Sequence, residues 1–599
     1  MPVKSATWKA RIGENQGAFF LEQKDKKIIL LLFFIAVVLY SLGILWGLPF
    51  ATAPDRIHPW GNDELAPLGS LAELYNVFVN PKPGFNPQYP LLQYILQAVV
   101  VGPYALWLWV TGGLPGPSAE YPFGLTDPVG SLAVMTVLAR LVSLVMAAGV
   151  VVLAYITATV LSNRRTGIIA GILVLLMYPM FYYSRTSNVD MGLMFWTSLG
   201  IAIYAICLRD SLTPTRAVCL GVVAAFAIAT KDAGYAAFLM IAVPLLIRHL
   251  HQSRQAGSAF CLTIKPLWLG LLTSVGVYLV ASGFVFHPGR YLLHLIFIFN
   301  TSAQFLYPAT VSGFFDLFRE VLVQLRHSLG FWLVVFAFLG ILLSFRYNKK
   351  FLLLALPALG VLVGTILPVH FVKIRFVLII AYLMSLFAAY AFSTLLDAQQ
   401  AGLRKSAAIV LVLLFSWSLI RGGDLTHQMV YDSRYELAIW FSKNANPGDR
   451  VGYFGAPEKL PALPLGVVSM TSEDLCTAED WASEASPEFV VIIPTRPFEN
   501  IHEYSLSQDR YDAFVDGSLG YHLAVQLQTR TLFTLRPISF VNPPVKVFIK
   551  KTHLSGMSQD VEEINEQEPI LYPLERLMGT KNEPLRGMYR NTAKAPEPC

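Results

Sequence analysis

Over most of its first 420 residues the chain alternates long apolar runs with short polar breaks. Runs of about 20 apolar residues are the length a helix needs to cross a hydrocarbon core of roughly 30 Å. The first, Ile28 to Phe50, follows a basic segment carrying Lys4, Lys9, Arg11, Lys24, Lys26 and Lys27. It is too long for the apolar part of a signal peptide and reads as a first membrane helix with its amino end in the cytoplasm. From about residue 421 the pattern changes to short mixed periods. Tyr435–Lys443 and Tyr504–Val515 are spaced as helices, whereas Arg450–Phe454 and Phe489–Ile493 are short buried-strand runs. The predicted organisation is a cytoplasmic segment 1–27, a transmembrane domain 28–420 with an exterior loop 51–130, an extracytoplasmic α/β domain 421–550, and an extended or disordered tail 551–599.

One segment decides the topology. Residues 90–110 are long enough to span, yet Gly102-Pro103 interrupts them and Trp and Tyr are frequent, as in interfacial segments. If they do not cross, five short basic loops fall on one side: 163–165, 209–216, 248–265, 346–350 and 399–405. The positive-inside rule places that side in the cytoplasm with the basic amino end. If they did cross, every basic loop would face outward. The non-crossing reading predicts about eleven spans, with the C-terminal domain outside. Gly360 and Gly364 form a GxxxG, read as a helix-packing motif.

Composition supports this class. The 599 residues are 55% hydrophobic and only 14% charged, against about a quarter charged in soluble proteins. The net charge of +6 is explained by basic loops and calls for no nucleic acid. No GxxxxGK[ST] or GxGxxG is present, which disfavours a nucleotide site. The five cysteines include no CxxC, which disfavours zinc ribbons, iron–sulfur clusters and a disulfide scaffold.

The polar groups that invite a chemical role fall on the exterior side. Asp63 and Glu64 follow the first helix within HPWGNDE, with His58 at its head, and Tyr89 ends the NPQY of PGFNPQYPLLQY. Asp190 closes YYSRTSNVD; alone it reads equally well as a helix cap. Lys231 is the most informative charge. Its flanking apolar arms, about 14 and 15 residues, rise only some 21–23 Å, so the Thr230-Lys231-Asp232 tip is sunk below the outer surface and must face protein or a wet cavity. Pairing with Asp232 or snorkelling outward is the plainer alternative. His370, Lys373 and Arg375 form a second cationic group and Arg140 a third candidate; together they could hold a phosphate.

These segments, in this order, resemble the GT-C glycosyltransferases, in particular the branch containing protein O-mannosyltransferases and lipid A aminoarabinose transferases. The basic end, one helix and the exterior Asp-Glu loop are similar, as are RLVS at Arg140, the 163–165 turn, Asp190, ATKDAG around Lys231 and HFVKIRF before a late span. DSRYELAIWFSKNANPGDRV resembles the start of the exterior domain of bacterial members. The likeness covers roughly 25–530; the stretched HPWGNDE, the Gly/Pro-rich insertion 113–128 and the polar tail depart from it. The resemblance implies a polytopic helical GT-C-like membrane protein, in the bacterial plasma membrane, with a C-terminal extracytoplasmic α/β domain. It implies inverting transfer of a sugar from a polyprenyl-phosphate donor to a lipid, glycan or protein acceptor. By place in the motifs, Asp63 is the general base, Glu64 orients it or the acceptor, and Asp190 is a second carboxylate. Lys231 and Arg375, with His370 and Arg140 behind them, are the donor-phosphate ligands, and Tyr89 and His58 position donor or acceptor. Two carboxylates could also hold a divalent cation; no other cofactor is implied. Two further classes remain open on the residues: a transporter or flippase of a lipid-linked substrate, and a non-catalytic subunit of a membrane assembly.

Overall fold

The computed structural model describes residues 22–79, 88–255, 260–301, 307–454, 460–470, 475, 486–493, 506–533, 538 and 540–554. Most of the amino-terminal segment and nearly all of the expected tail, with the start of the helix expected from Tyr504, lie outside the described residues. Up to residue 430 the chain forms α1 (Gln23–Ser41), α2 (Gly69–Phe78), α3 (Leu92–Thr111), α4 (Pro128–Leu161), α5 (Arg164–Leu175), α6 (Val189–Arg209), α7 (Pro214–Thr230), α8 (Gly234–Gln255), α9 (Phe260–Ala281), α10 (Pro288–Thr301), α11 (Val311–Leu329), α12 (Phe331–Tyr347), α13 (the interrupted helix Lys349–Val369), α14 (Leu378–Leu396) and α15 (Ala401–Val430).

Among the described residues, eight helices are long and apolar enough to cross a membrane, or nine if α11 and α12, bent by 107°, count as one span. That differs from the expected eleven for reasons of length and charge. The number includes α3, omits α1, whose first turns carry Lys24, Asp25, Lys26 and Lys27, and omits α7, only 17 residues long. The first helix also stops at Ser41, short of the expected Phe50. Leu31, Leu272, Leu342 and Leu413 are exposed on the outside of the bundle, as lipid-facing side chains are, while α14 runs almost wholly buried through its middle. The GxxxG does pack helices. A Cβ at Gly360 would lie 2.3 Å from the Ala236 carbonyl oxygen of α8, and one at Gly364 2.9 Å from the Ala236 Cβ.

The bundle has two unlike ends. At one, the basic loops are tied together: Arg164 pairs with Glu22 and Asp25 at 2.8 Å, Arg165 with Asp397, and Lys350 Nζ donates to the Arg209 carbonyl at 3.1 Å. At the other lie the exits of α1 and α7 and the starts of α4, α6, α8 and α14. Length and composition alone would let α3 span, but both of its ends pack at this second end. Leu91, just before it, meets Gly283 and joins Leu65 and Val189, while Val101 and Leu108 pack with Ala51, Leu125, Leu132 and Met135 at the first turns of α4. Residues at both ends of the helix thus pack against this end, and by length and composition it stays among the candidate spans.

The C-terminal domain starts later than residue 421, because α15 continues unbroken to Val430. It comprises α16 (Ser433–Asn444), α17 (Gln508–Val515) and five strands, β1 (Arg450–Phe454), β2 (Val468–Met470), β3 (Phe489–Ile492), β4 (Tyr521–Leu527) and β5 (Val545–Lys550). The order is β2-β1-β3-β5-β4, with β1 parallel to β2 and β3, and β5 antiparallel to β3 and β4. The two expected strands are the centre of this sheet, almost wholly buried and therefore continuously apolar. The domain is clamped to the exit of α1. Asp432 pairs with Arg434 at 2.8 Å, both fully buried, and accepts from Trp46 Nε1 at 3.1 Å. The Arg434 guanidinium lies 3.9 Å from the Trp60 ring centroid, and Tyr435 Oη accepts from the Gly47 amide at 2.8 Å. Arg434→Ala should strand the Asp432 carboxylate in this interface and lower stability by about 3–5 kcal/mol, read as a fall in the melting temperature of the detergent-solubilised chain with earlier proteolytic release of the domain.

Candidate active site

The site is built on the turn that follows α1. In this turn Arg140 of α4 donates through Nη1 to the carbonyls of Ile44 and Trp46 at 2.7 and 2.6 Å. Its Nε and Nη2 donate to the two oxygens of Glu64 at 2.7 and 2.9 Å, and Glu64 Oε1 also accepts from the amide and hydroxyl of Ser187. Neither side chain reaches solvent. Arg140 is therefore fully engaged inside the protein, which corrects its place among the expected phosphate ligands. Glu64 is a positioning residue that pins the exterior loop to α4 and to the segment before α6.

Asp63, its neighbour, has φ +52°, a left-handed conformation that aspartate tolerates better than most residues. The turn sends consecutive carboxylates opposite ways, Glu64 into the protein and Asp63 toward the bundle end. There Asp63 forms an ion pair with Arg375 Nη1 and remains partly exposed, its side chain at 38%. Arg375 comes from the 3₁₀ turn Ile374–Val377 that opens α14.

The second pair is formed across two other connections. Asn188 caps α6, accepting from the Asp190 amide at 3.1 Å, and places Asp190 in the first turn, where the positive end of the helix favours a carboxylate. Lys231 Nζ lies 2.6 Å from Asp190 Oδ1. The lysine follows α7, whose 17 residues rise only about 25 Å. The second arm, α8, is longer than expected because the polar stretch 248–255 continues the helix. Lys231 pairs with Asp190 from another helix and is not paired with its neighbour Asp232, which sits 3.2 Å from His294 Nε2.

The cations of the two pairs share one place, and Asp63 adjoins it only through Arg375. Lys231 Nζ and the Arg375 guanidinium lie 5.6 and 5.5 Å from the centroid of the Phe376 ring. Asp190, Lys231, Thr365, Arg375 and Phe376 line one cavity, floored by Met194 and Val361. Tyr89 stands beside it; burial, reinforced by the Asp190 carboxylate, pushes its phenol above the ordinary value, so it stays a proton donor. The carbonyl of Tyr89 accepts from Arg290 Nη2 at 3.1 Å, and Arg290 pairs with the buried Glu73 of α2. Burial raises the Glu73 carboxyl while Arg290 opposes it. His370 is buried, its ring 4.9 Å from that of Phe314, and does not line the cavity. His58 is exposed, two residues before Trp60.

Sequence reasoning missed Ser187, the Arg290–Glu73 pair and Gln93. A basic residue in the first turn of α10 and an amide in the YPLLQY run were the available signals. As for a divalent cation, among the described residues no three His, Cys, Asp or Glu side chains gather. Asp63 and Asp190 each already face a cationic side chain, a donor set that does not fit a metal centre.

No protein-family model matches the chain, and no curated protein matches it. Similar solved structures include ArnT from Cupriavidus metallidurans bound to undecaprenyl phosphate, at 13% identity over 87% of this chain and 97% of that one, with a TM-score of 0.47. Others are the oligosaccharyltransferase of Archaeoglobus fulgidus (11%, 77% and 68%, 0.41) and the Pmt1-Pmt2 protein O-mannosyltransferase complex of S. cerevisiae (15%, 48% and 35%, 0.32). These neighbours are GT-C glycosyltransferases. At such identities and scores the functional reading rests on the geometry of the site.

The two adjacent carboxylates should separate cleanly on mutation. Glu64→Ala leaves a buried guanidinium unpaired and should lower stability by about 3–5 kcal/mol. Asp63→Asn, at a partly exposed pair, should change it by less than about 1 kcal/mol. Melting temperatures of the two purified variants check both.

Proposed function

We propose that this chain is an inverting glycosyltransferase that moves a sugar from a polyprenyl-phosphate carrier to a hydroxyl of a lipid, glycan or protein acceptor at the outer face of the membrane. The observation that carries the reading is the meeting of two carboxylate–cation pairs, Asp63–Arg375 and Asp190–Lys231, around one aromatic ring at one end of an apolar bundle. A lipid-linked donor holds its sugar phosphate at the membrane interface, where such a site meets it. The basic loops at the far end then lie in the cytoplasm and the C-terminal domain outside, which accords with the positive-inside rule. The exterior α/β domain favours a bacterial plasma membrane, by its likeness to bacterial members of the GT-C class.

In this reading Asp63 accepts the proton of the acceptor hydroxyl as its oxygen attacks the anomeric carbon on the face opposite the phosphate. The anomeric carbon–oxygen bond breaks, and its electron pair leaves with the polyprenyl phosphate. Lys231 and Arg375 hold that phosphate and the charge it gains. Asp190 keeps Lys231 oriented, and Tyr89 offers a hydroxyl beside it. The resting Asp63–Arg375 pair supplies an order of events. An arriving phosphate competes for Arg375, and a carboxylate relieved of its cation is a stronger base. Donor binding therefore readies Asp63 for the acceptor.

Mass spectrometry of envelope glycans and glycolipids from a deletion strain, complemented with variants, tests this. Asp63→Asn should cut product by about 10²- to 10⁴-fold while the variant still binds donor, the usual contribution of a general base. Product at the wild-type level from Asp63→Asn overturns the reading. Retained movement of a lipid-linked sugar across the membrane with no transferred product would replace it with a transporter.

A further inference from the structure

The geometry points to a residue outside that set: we propose that Gln93 reads a hydroxyl of the donor sugar, an inference that rests on the sugar-transfer reading. Gln93 lies in the first turn of α3 and is fully buried, yet neither Nε2 nor Oε1 has a hydrogen-bond partner among the described residues. Buried amides are ordinarily satisfied, because desolvating one without a partner is costly. An amide left open on both atoms is either waiting for a ligand or met by water.

Its position favours a ligand. Gly192, two residues past Asp190, faces the amide; a Cβ there would lie 2.5 Å from Gln93 Oε1 and 3.0 Å from Thr230 Cγ2. Thr230 immediately precedes Lys231. The amide is thus seated between the helix that carries Asp190 and the turn that carries Lys231, and the absence of a side chain at Gly192 makes room for it. Tyr89, which stands beside Asp190, precedes it by four residues. One turn further along, Gln97 Nε2 donates to the Ser187 carbonyl at 2.9 Å, so the register of α3 is pinned and the open amide does not reflect a loose helix.

The chemistry selects the ligand group. A phosphate only accepts hydrogen bonds and would leave Oε1 unmet; a sugar hydroxyl both donates to Oε1 and accepts from Nε2. With the phosphate on Lys231 and Arg375, the attached sugar is the part of the donor that carries hydroxyls past Asp190. A buried polar group that pairs with a substrate hydroxyl also rejects sugars lacking it, by about 10⁴-fold in favourable cases.

The test uses Gln93→Met, nearly isosteric and without hydrogen-bonding groups, in the full detergent-solubilised chain. Melting temperature is read without substrate. Transfer is assayed with the total polyprenyl-phosphate sugar fraction of the host membranes as donor and deletion-strain membranes as acceptor. If the amide waits for sugar, Gln93→Met melts no lower than the parent, while transfer at limiting donor falls by about tenfold or more and recovers in part as donor is raised, a KM effect. A melting temperature several degrees lower with an unchanged rate per folded molecule overturns the proposal in favour of a buried water. An unchanged rate with an unchanged melting temperature overturns it outright. Gln93→Glu, which keeps one acceptor, should retain more transfer than Gln93→Met; equal loss in both also counts against it. Asp63→Asn run alongside separates the two inferences: if it transfers as well as the parent, the transferase reading has failed and Gln93 with it, whereas loss in Asp63→Asn with none in Gln93→Met removes Gln93 alone.

Discussion

The buried ion pair between Glu64 and Arg140 is the constraint on which the site depends. Two charges removed from water are tolerable only when their remaining polar atoms are met as well, and here they are. Arg140 takes up both carboxylate oxygens and two carbonyls of the turn after α1, while Glu64 also receives the amide and hydroxyl of Ser187. One contact therefore ties together the exit of the first helix, the exterior loop, the long helix α4 and the segment that leads to Asp190. With Glu64 fixed, Asp63 has little choice of direction, and its left-handed backbone is the local consequence.

The other two pairs use the same chemistry at different exposure, and this difference assigns their roles. A pair sealed from solvent cannot exchange partners without stranding a charge. Asp63–Arg375 is partly open to water, with 38% and 19% of its side chains exposed, so swapping the carboxylate for an incoming anion costs little. Asp190–Lys231 is intermediate, the carboxylate buried and the ammonium at 16%. Lys231 thus keeps a permanent counter-ion and still presents protons to the cavity. The Phe376 ring lies within about 5.6 Å of both cations and attracts each of them.

Much of this was legible in the sequence wherever length and charge set the answer. Apolar run length marked the bundle, and the basic loops gather at one of its two unlike ends. Neither the pairing Lys231–Asp190 nor that of Asp63 with Arg375 was written in the spacing, since each joins segments far apart in the chain. What periodicity cannot show is which charge is already spent. Arg140 and Arg375 look alike in a string of letters, yet one faces carbonyls of the turn after α1 and a buried carboxylate while the other faces an opening. Helix ends were misjudged for a similar reason: apolar residues continue to Phe50 after α1 has stopped, and α15 runs through residue 421 although its side chains turn polar there. Strands β4 and β2 lie at the sheet edges with mixed exposure, so they lack the apolar signature that revealed β1 and β3.

The C-terminal domain braces the turn that carries Asp63 without lending a residue to the cavity. Its first helix holds Trp46 through Asp432 and Gly47 through Tyr435, and Arg434 lies against Trp60, all within the stretch that leads into Asp63. Arg56 in the same stretch donates to the Val467 carbonyl and the Ser469 hydroxyl. The exterior loop is therefore gripped on one side by Arg140 and on the other by this domain. If Asp63 is the base proposed above, it gains from such confinement, since loss of freedom in the loop has been met by folding and need not be met again when substrate arrives. The same confinement lets a segment rich in turns, rather than a helix, hold Asp63 in place: its rigidity is borrowed from the buried Glu64–Arg140 pair on one side and the aromatic clamp on the other.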